Sequence, residues 1–172
     1  MPVEFSVVAS LAAVAVLLAV SAFFSSTEIA LFSLTPERID ALAEGDDRGP
    51  GLQRLREDPH RLLVTILVGN NVVNIATSSI LTVLLVTYLP PELAVVGTTL
   101  VATTLVLVCG EILPKSWGLA NAESWALTSA RPVKYVGLAL WPLVTFFDVL
   151  TRRLAGVTGG SPDIERELLE EE

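Results

Sequence analysis

The chain has 172 residues, of which 52% are apolar and only 17% are charged, and its mean hydropathy is +0.62. Soluble domains carry about 25% charged residues, so this composition indicates a protein embedded in lipid. The formal net charge of -8 argues against a basic surface for a phosphate backbone, and nucleic acid is not an expected partner. With one cysteine and one histidine, the sequence excludes an internal disulfide and the common zinc motifs.

Three runs almost free of charge are long enough to cross a membrane, because roughly 20 apolar residues span the hydrocarbon core. They cover residues 5–27, 62–91 and 93–110. The first run follows no cation and is too long for a signal peptide, so it predicts a retained helix. None of the 11 lysines and arginines precedes the first run or separates the second from the third. A multi-pass cell-membrane protein with an outer N-terminus and a cytoplasmic C-terminus is therefore expected.

Residues 35–60 join the first two spans and predict a cytoplasmic link of two short helices. Thr35, Pro36 and Glu37 are typical of a helix start, since they supply a cap, a proline in the first turn and an acid. The glycine-containing residues 45–51 predict the turn before the second helix. No residue of the link indicates catalysis, and we interpret it as a lid or a spacer.

Residues 131–156 predict an amphipathic juxtamembrane helix with a kink at Pro142, because their cations share one arc of the helical wheel. A fourth span is the alternative, but its charge-free part, residues 135–147, would be only about 20 Å long. Residues 157–172 are expected to be an acidic linker toward an absent cytoplasmic domain. The fold class predicted is all-α integral membrane, with residues 1–130 as the transmembrane domain.

Polar side chains recur at one depth of all three spans, in the half of the bilayer that faces the cytoplasm. At 1.5 Å per residue, Asn70 lies about 12 Å inside its span, Glu111 roughly 9 Å and Ser25 roughly 15 Å from the ends of theirs. Polar groups in lipid are costly and tend to face one another, a cavity or an ion. Hydroxyls, amides, one carboxylate and carbonyls freed near Gly110 and Pro114 are oxygen ligands, which suit Mg²⁺ or Na⁺. The pattern predicts a weak, exchangeable site for a hard metal ion.

Each polar residue also has an interpretation that involves no ion. Hydroxyls in the outer halves of the spans are expected to bond the carbonyl four residues earlier, and Asn70 or Asn74 alone could join two helices. Glu111 with Lys115 could be an ion pair within one helix. Glu28 is expected to bond serine hydroxyls or face the cytoplasmic entrance, and His60 to be solvated. The shared depth is what favours a site.

Three motifs carry a family resemblance: FSSTE at residues 24–28, GNNVVN at residues 69–74 and GEILPK at residues 110–115. In this order and spacing they resemble the transmembrane domain of the CNNM/CorC (cyclin M, CorB) magnesium transporters, over about residues 1–155. The resemblance implies three transmembrane helices, a belt-like juxtamembrane helix, a homodimer, and Mg²⁺ export with Na⁺ as a candidate exchanged ion.

The resemblance also implies the residues that bind the transported ion. The ligands would be Ser25, Asn70, Asn74, Glu111 and the carbonyl of Gly110, with Ser21, Glu28 and Lys115 as additional candidates. Family members continue into cytoplasmic CBS domains that bind ATP, so ATP is expected as a partner only through domains absent from this chain.

Two other functions remain open on the sequence. One is a membrane-anchored metal sensor or scaffold that binds Mg²⁺ without transporting it. The other is an intramembrane enzyme in which Ser25 or Ser26 pairs with Lys115, although no oxyanion hole is visible and no enzyme is expected.

Overall fold

Helices account for nearly all of the computed structural model, which describes residues 3–157 and the side chains of residues 7–154. The described residues contain no strand, which confirms the all-α prediction. The helices are α1 (Val3–Phe32), α2 (Pro36–Gly45), α3 (Gly49–Arg56), α4 (Pro59–Val86), α5 (Pro91–Leu105), a π-helical segment (Val106–Ile112), α6 (Leu113–Ala120), α7 (Ala122–Ala139) and α8 (Trp141–Val157).

Three stretches are long and apolar enough to cross a membrane, as predicted: Val7–Phe32, Pro59–Val86 and Pro91–Ala120. The third combines α5, the π-helical segment and α6 in one span. Pro91, which ended the second charge-free run in the sequence, belongs with Glu92 to the first turn of α5. Proline suits this position because the first helical N–H has no partner within the helix anyway.

The spans pack with polar groups inside and apolar groups outside. Helix α1 is central and contacts α4, the π-helical segment, α6 and α7. Ser21, Ser25 and Thr27 on α1 are fully buried, whereas Val16 and Ile75 are more than 60% exposed. Lipid is as apolar as these exposed side chains, so their exposure in a membrane carries little cost.

The link between the first two spans forms α2 and α3, in agreement with the sequence. The Thr35 hydroxyl caps α2 by accepting a hydrogen bond from the Arg38 N–H at 3.4 Å. The turn is shorter than expected because α3 already begins at Gly49. In that turn, hydrogen bonds from Arg48 lower the pKa of Asp46 to about 2. The link is fastened to α7 by the Arg38 and Glu123 side chains, which are 2.6 Å apart.

The segment after the third span differs from the expected single helix. It begins at Ala122 rather than at residue 131, and it consists of α7 and α8 with an 87° bend between them. The break falls at Leu140, two residues before Pro142, which lacks the N–H that would continue α7. By length and composition the bent pair also qualifies as a broken span or a re-entrant loop.

Candidate functional site

Side chains from three spans meet at the depth indicated by the sequence. The Ser21 hydroxyl lies 3.0 Å from Asn70 Oδ1 and 2.8 Å from Asn74 Oδ1. The Asn74 amide nitrogen donates to Glu111 Oε1 at 3.4 Å. We call Ser21 Oγ, the two asparagine Oδ1 atoms and the Glu111 carboxylate the oxygen cluster. It joins α1, α4 and the π-helical segment.

The oxygen cluster has fewer protons than its contacts need. Ser21 carries one hydroxyl proton, so it can donate a full hydrogen bond to only one of the two amide oxygens. Asn74 presents its oxygen to Ser21 because its nitrogen is turned toward Glu111. Three close oxygens with one proton between them form a set of lone pairs that a hard cation can accept.

Gly110 lets the π-helical segment approach α1. A Cβ atom at Gly110 would lie 2.7 Å from the Ser21 hydroxyl oxygen and 3.3 Å from its Cβ, so any side chain would displace Ser21. Pro114 has no N–H, and the Gly110 carbonyl therefore lacks its usual α-helical donor. The expected distortion takes the form of a π-helix over Val106–Ile112, a geometry frequent at functional sites.

Ser25 lies one turn after Ser21 on α1, but it is not hydrogen bonded to the oxygen cluster. Its hydroxyl is fully buried and has no hydrogen-bond partner. Leaving such a group unsatisfied costs about 1–3 kcal/mol. The hydroxyls of Thr27, Thr98 and Ser129 share this state, so burial alone does not identify a ligand. Its position beside Ser21 is what distinguishes Ser25.

Glu28 and Lys115 pair with each other. Lys115 Nζ lies 3.3 Å from Glu28 Oε2, so the structure joins α6 to α1 instead of joining Lys115 to Glu111 within its own helix. We expected Glu28 either to bond serine hydroxyls or to face the cytoplasmic entrance, and the structure gives it Lys115 as a partner. The carboxylate of Glu111 is thereby left to the oxygen cluster.

Ser26 has a structural role. Its hydroxyl lies 2.7 Å from the Ala22 carbonyl, to which it donates, and it accepts a hydrogen bond from Trp125 Nε1 at 3.0 Å. Lys115 is paired with Glu28. Ser26 and Lys115, one of the two serine–lysine pairs considered for catalysis, thus each have other partners. The hydroxyl of Ser25, the other serine considered, has none, but Lys115 is already paired with Glu28.

Several hydroxyls in the outer halves of the spans bond their own helices, as predicted, whereas the hydroxyl of Thr98 is buried without a hydrogen-bond partner. Ser78 donates to the Asn74 carbonyl at 3.1 Å, Thr82 to the Ser78 carbonyl at 2.8 Å and Thr104 to the Leu100 carbonyl at 2.8 Å. Beside Asn74, a groove of about 450 Å³ runs between α4 and α5 and is lined partly by Ser78 and Thr82.

The sequence interpretation missed the role of His60, which we expected to be solvated. Its Nδ1 atom lies 2.7 Å from Asp148 Oδ1 on α8. Arg152 extends this contact, because its Nε donates to Asp148 at 2.9 Å and its Nη2 to Asp58 at 2.9 Å. The sequence pointed to this contact only through the polar face that Asp148 and Arg152 share on α8, and that face did not identify His60 as a partner.

The described residues contain no group of three histidine, cysteine, aspartate or glutamate side chains able to hold a metal. Zinc and copper sites of the usual composition are therefore not found among residues 7–154. A site for a harder ion would have to use hydroxyl, amide and main-chain oxygens, which are the groups brought together around Ser21.

Fold and site together define an integral membrane protein with a polar, oxygen-lined centre between three membrane-spanning helices. Residues 12–172 match the family described as the cyclin M transmembrane N-terminal domain, CNNM. The chain belongs to this family, which confirms the resemblance carried by the three motifs. The family domain is of a membrane transporter type.

The chain is also similar to longer proteins. It is 37% identical over 150 residues to the DUF21 domain-containing protein At1g55930, chloroplastic, of Arabidopsis thaliana, covering 86% of this chain and 23% of the relative. It is 31% identical over 156 residues to the UPF0053 protein of Haemophilus influenzae, covering 90% and 37%. It is 32% identical over 146 residues to the UPF0053 inner membrane protein YfjD of Escherichia coli, covering 84% and 34%. The chain thus spans less than two fifths of each of these relatives.

Proposed function

We propose that the protein is the membrane domain of a Mg²⁺ transporter that exports Mg²⁺ across the cell membrane, with Na⁺ entry as the coupled flow. One observation carries the proposal. The side-chain oxygens of Asn70 and Asn74 on α4 both lie within hydrogen-bond distance of the Ser21 hydroxyl on α1, which has a single proton to donate. Membership of the CNNM family supports the same substrate class.

The proposed oxygen ligands suit an ion that is bound and then released during transport. Mg²⁺ prefers six oxygen ligands near 2.1 Å and gives up its water reluctantly. Asn70, Asn74, the unsatisfied Ser25 hydroxyl and the Gly110 carbonyl would supply neutral oxygens, and Glu111 one negative charge. One carboxylate neutralises half the charge of a divalent cation, so binding is modest and exchangeable.

Passage through the membrane requires access to the oxygen cluster from each side in turn. The π-helical segment and Pro114 are the points at which the third span can bend. On one side, the groove beside Asn74 carries the hydroxyls of Ser78 and Thr82. Their protons are used by carbonyls of α4, so the lone pairs remaining on these oxygens can face a cation.

The same proposal includes orientation and assembly. The N-terminus lies outside and the C-terminus in the cytoplasm, in keeping with the distribution of cations along the chain. The protein works as a homodimer in the lipid bilayer. Regulation by ATP would reside in CBS domains outside this chain, in keeping with the greater length of the relatives.

The test is Mg²⁺ flux in proteoliposomes that contain the protein or a variant. Glu111→Ala or Asn70→Ala should reduce flux about tenfold or more, because each removes a ligand that the chain does not replace. Asn71→Ala is the matched control, since Asn71 is exposed and its amide donates to the Leu67 carbonyl of its own helix at 2.9 Å. It should keep nearly full flux.

Undiminished transport by the Glu111 and Asn70 variants would remove both residues from the ligand set. Mg²⁺ binding by the parent protein without any flux would instead favour a membrane-anchored metal sensor or scaffold. Binding is measured separately, from the rise in melting temperature of the purified protein with added Mg²⁺.

A further inference from the structure

A second cavity lies away from the oxygen cluster, where α3, α4, α7 and α8 meet. Its volume is about 270 Å³. Arg61, Leu62 and Thr65 place it at the first two turns of α4, where that membrane span begins. The full lining consists of Arg54, Leu55, Glu57, Asp58, Arg61, Leu62, Thr65, Val133, Lys134, Gly137, Leu138 and Trp141.

Three cationic side chains line this cavity, and most of their N–H donors have no partner among the described residues. The side chains of Arg54 and Lys134 make no ion pair or hydrogen bond with the described residues, and the Arg61 guanidinium reaches only the Thr145 hydroxyl, at 3.5 Å. Asp58 is already neutralised, because its oxygens lie 2.9 Å and 3.1 Å from Arg152 Nη2. With Glu57 as the other acid, the three cations of the lining exceed its two acids by one positive charge, and Asp58 is also paired with Arg152 from outside the lining.

The remaining walls are apolar. Leu62, Val133 and Leu138 form them, and Trp141 stands at the edge, 55% exposed. Tryptophan is enriched where membrane spans meet the lipid headgroups. A cavity with cations and apolar walls side by side matches a molecule that carries a phosphate next to hydrocarbon. A free phosphate ion would satisfy the cations but leave the apolar walls uncovered.

We infer that this cavity binds the headgroup phosphate of an anionic phospholipid. Arginine binds phosphate oxygens through paired N–H groups, and basic pockets between membrane helices on the cytoplasmic side are suited to anionic headgroups. The bound lipid contacts residues of four helices and holds α3 and α7 against the start of α4. This site is separate from the oxygen cluster, and the inference does not depend on Mg²⁺ transport.

Lipid binding by the purified chain can be measured by native mass spectrometry during titration with phosphatidylglycerol or phosphatidylcholine. The parent should retain one phosphatidylglycerol more tightly than phosphatidylcholine. Arg54→Gln with Lys134→Gln should weaken phosphatidylglycerol binding about tenfold or more and leave phosphatidylcholine unaffected. The matched control combines Arg131→Gln with Arg153→Gln, two exposed cations that do not line the cavity. It should bind like the parent.

Equal weakening in the control pair would overturn the inference, because it would show diffuse attraction to the whole cationic surface. Displacement of the lipid by millimolar inorganic phosphate would also overturn it in favour of a free-anion site. If the double variant fails to fold, Lys134→Gln alone serves, since this exposed side chain makes no hydrogen bond or ion pair with the described residues. It should weaken phosphatidylglycerol binding about fivefold, and unchanged binding would contradict the inference.

Discussion

At Gly110 a hydrogen atom stands where other residues carry a side chain, and Ser21 uses the space. Gly110→Ala should reduce Mg²⁺ affinity about tenfold or more, because the new methyl group would lie 2.7 Å from the Ser21 hydroxyl oxygen and push it off the asparagines. Mg²⁺-dependent thermal stabilisation in detergent measures the effect. Gly97→Ala is the control, since its nearest neighbour there would be Leu85 at 3.9 Å. Equal Mg²⁺ affinity of the Gly110→Ala and Gly97→Ala variants would contradict a role for Ser21 and the space at Gly110 in Mg²⁺ binding.

Sequence reasoning succeeded best for residues within one helix or at one depth. Asn70 and Asn74 are one turn apart, so their common face followed from helical spacing. The weaker candidate Ser21 proved to be the residue that both amides contact. Partners on other helices were harder to predict: Lys115 pairs with Glu28 across two spans, and His60 with a residue 88 positions away. Spacing rules describe neighbours on a helix and carry no information about such pairs.

At the scale of elements, the π-helical segment is the feature that Pro114 favours. Pro114→Ala restores the N–H that can bond the Gly110 carbonyl in an α-helical pattern. Because a proline inside a helix costs about 3 kcal/mol, the variant should melt at a higher temperature yet bind Mg²⁺ less tightly. Differential scanning fluorimetry with and without Mg²⁺ measures both changes. Pro91→Ala, at the start of α5, should leave Mg²⁺ binding unchanged. Unchanged or tighter Mg²⁺ binding by the Pro114 variant would contradict a role for the Gly110 carbonyl.

The spans themselves were predictable because charge-free runs have few alternatives in a membrane, and the Thr35 cap of α2 follows local rules. The sequence indicated a disturbance near Gly110 but not its π-helical form, which depends on how α1 packs against it. The 87° bend between α7 and α8 was also beyond local rules. Pro142 predicts a kink, whereas the angle depends on the contacts of α7 with α1 and of α8 with α4.

At the scale of the whole molecule, α8 is tied to the start of α4 by side chains that are distant in sequence. A double-mutant cycle of His60→Ala and Asp148→Ala should show a coupling of about 1 kcal/mol in the free energy of unfolding, because the buried Asp148 carboxylate loses a close partner. Urea unfolding in detergent measures it. The exposed pair Arg38 and Glu123 is the comparison and should couple less. A coupling energy for His60 and Asp148 that is smaller than that for Arg38 and Glu123 would contradict a stabilising contact between α4 and α8.

The tie between α8 and α4 has a mechanical consequence. His60 and Asn70 stand on one unbroken helix, ten residues and roughly 15 Å apart. A tilt of about 4° around the tethered end would carry the asparagine oxygen roughly 1 Å sideways, far more than the narrow spread of Mg²⁺–oxygen bond lengths. If Mg²⁺ binds at Asn70 as proposed, a movement of α8 that is transmitted through His60 to α4 would therefore change the distance between the Asn70 oxygen and the ion.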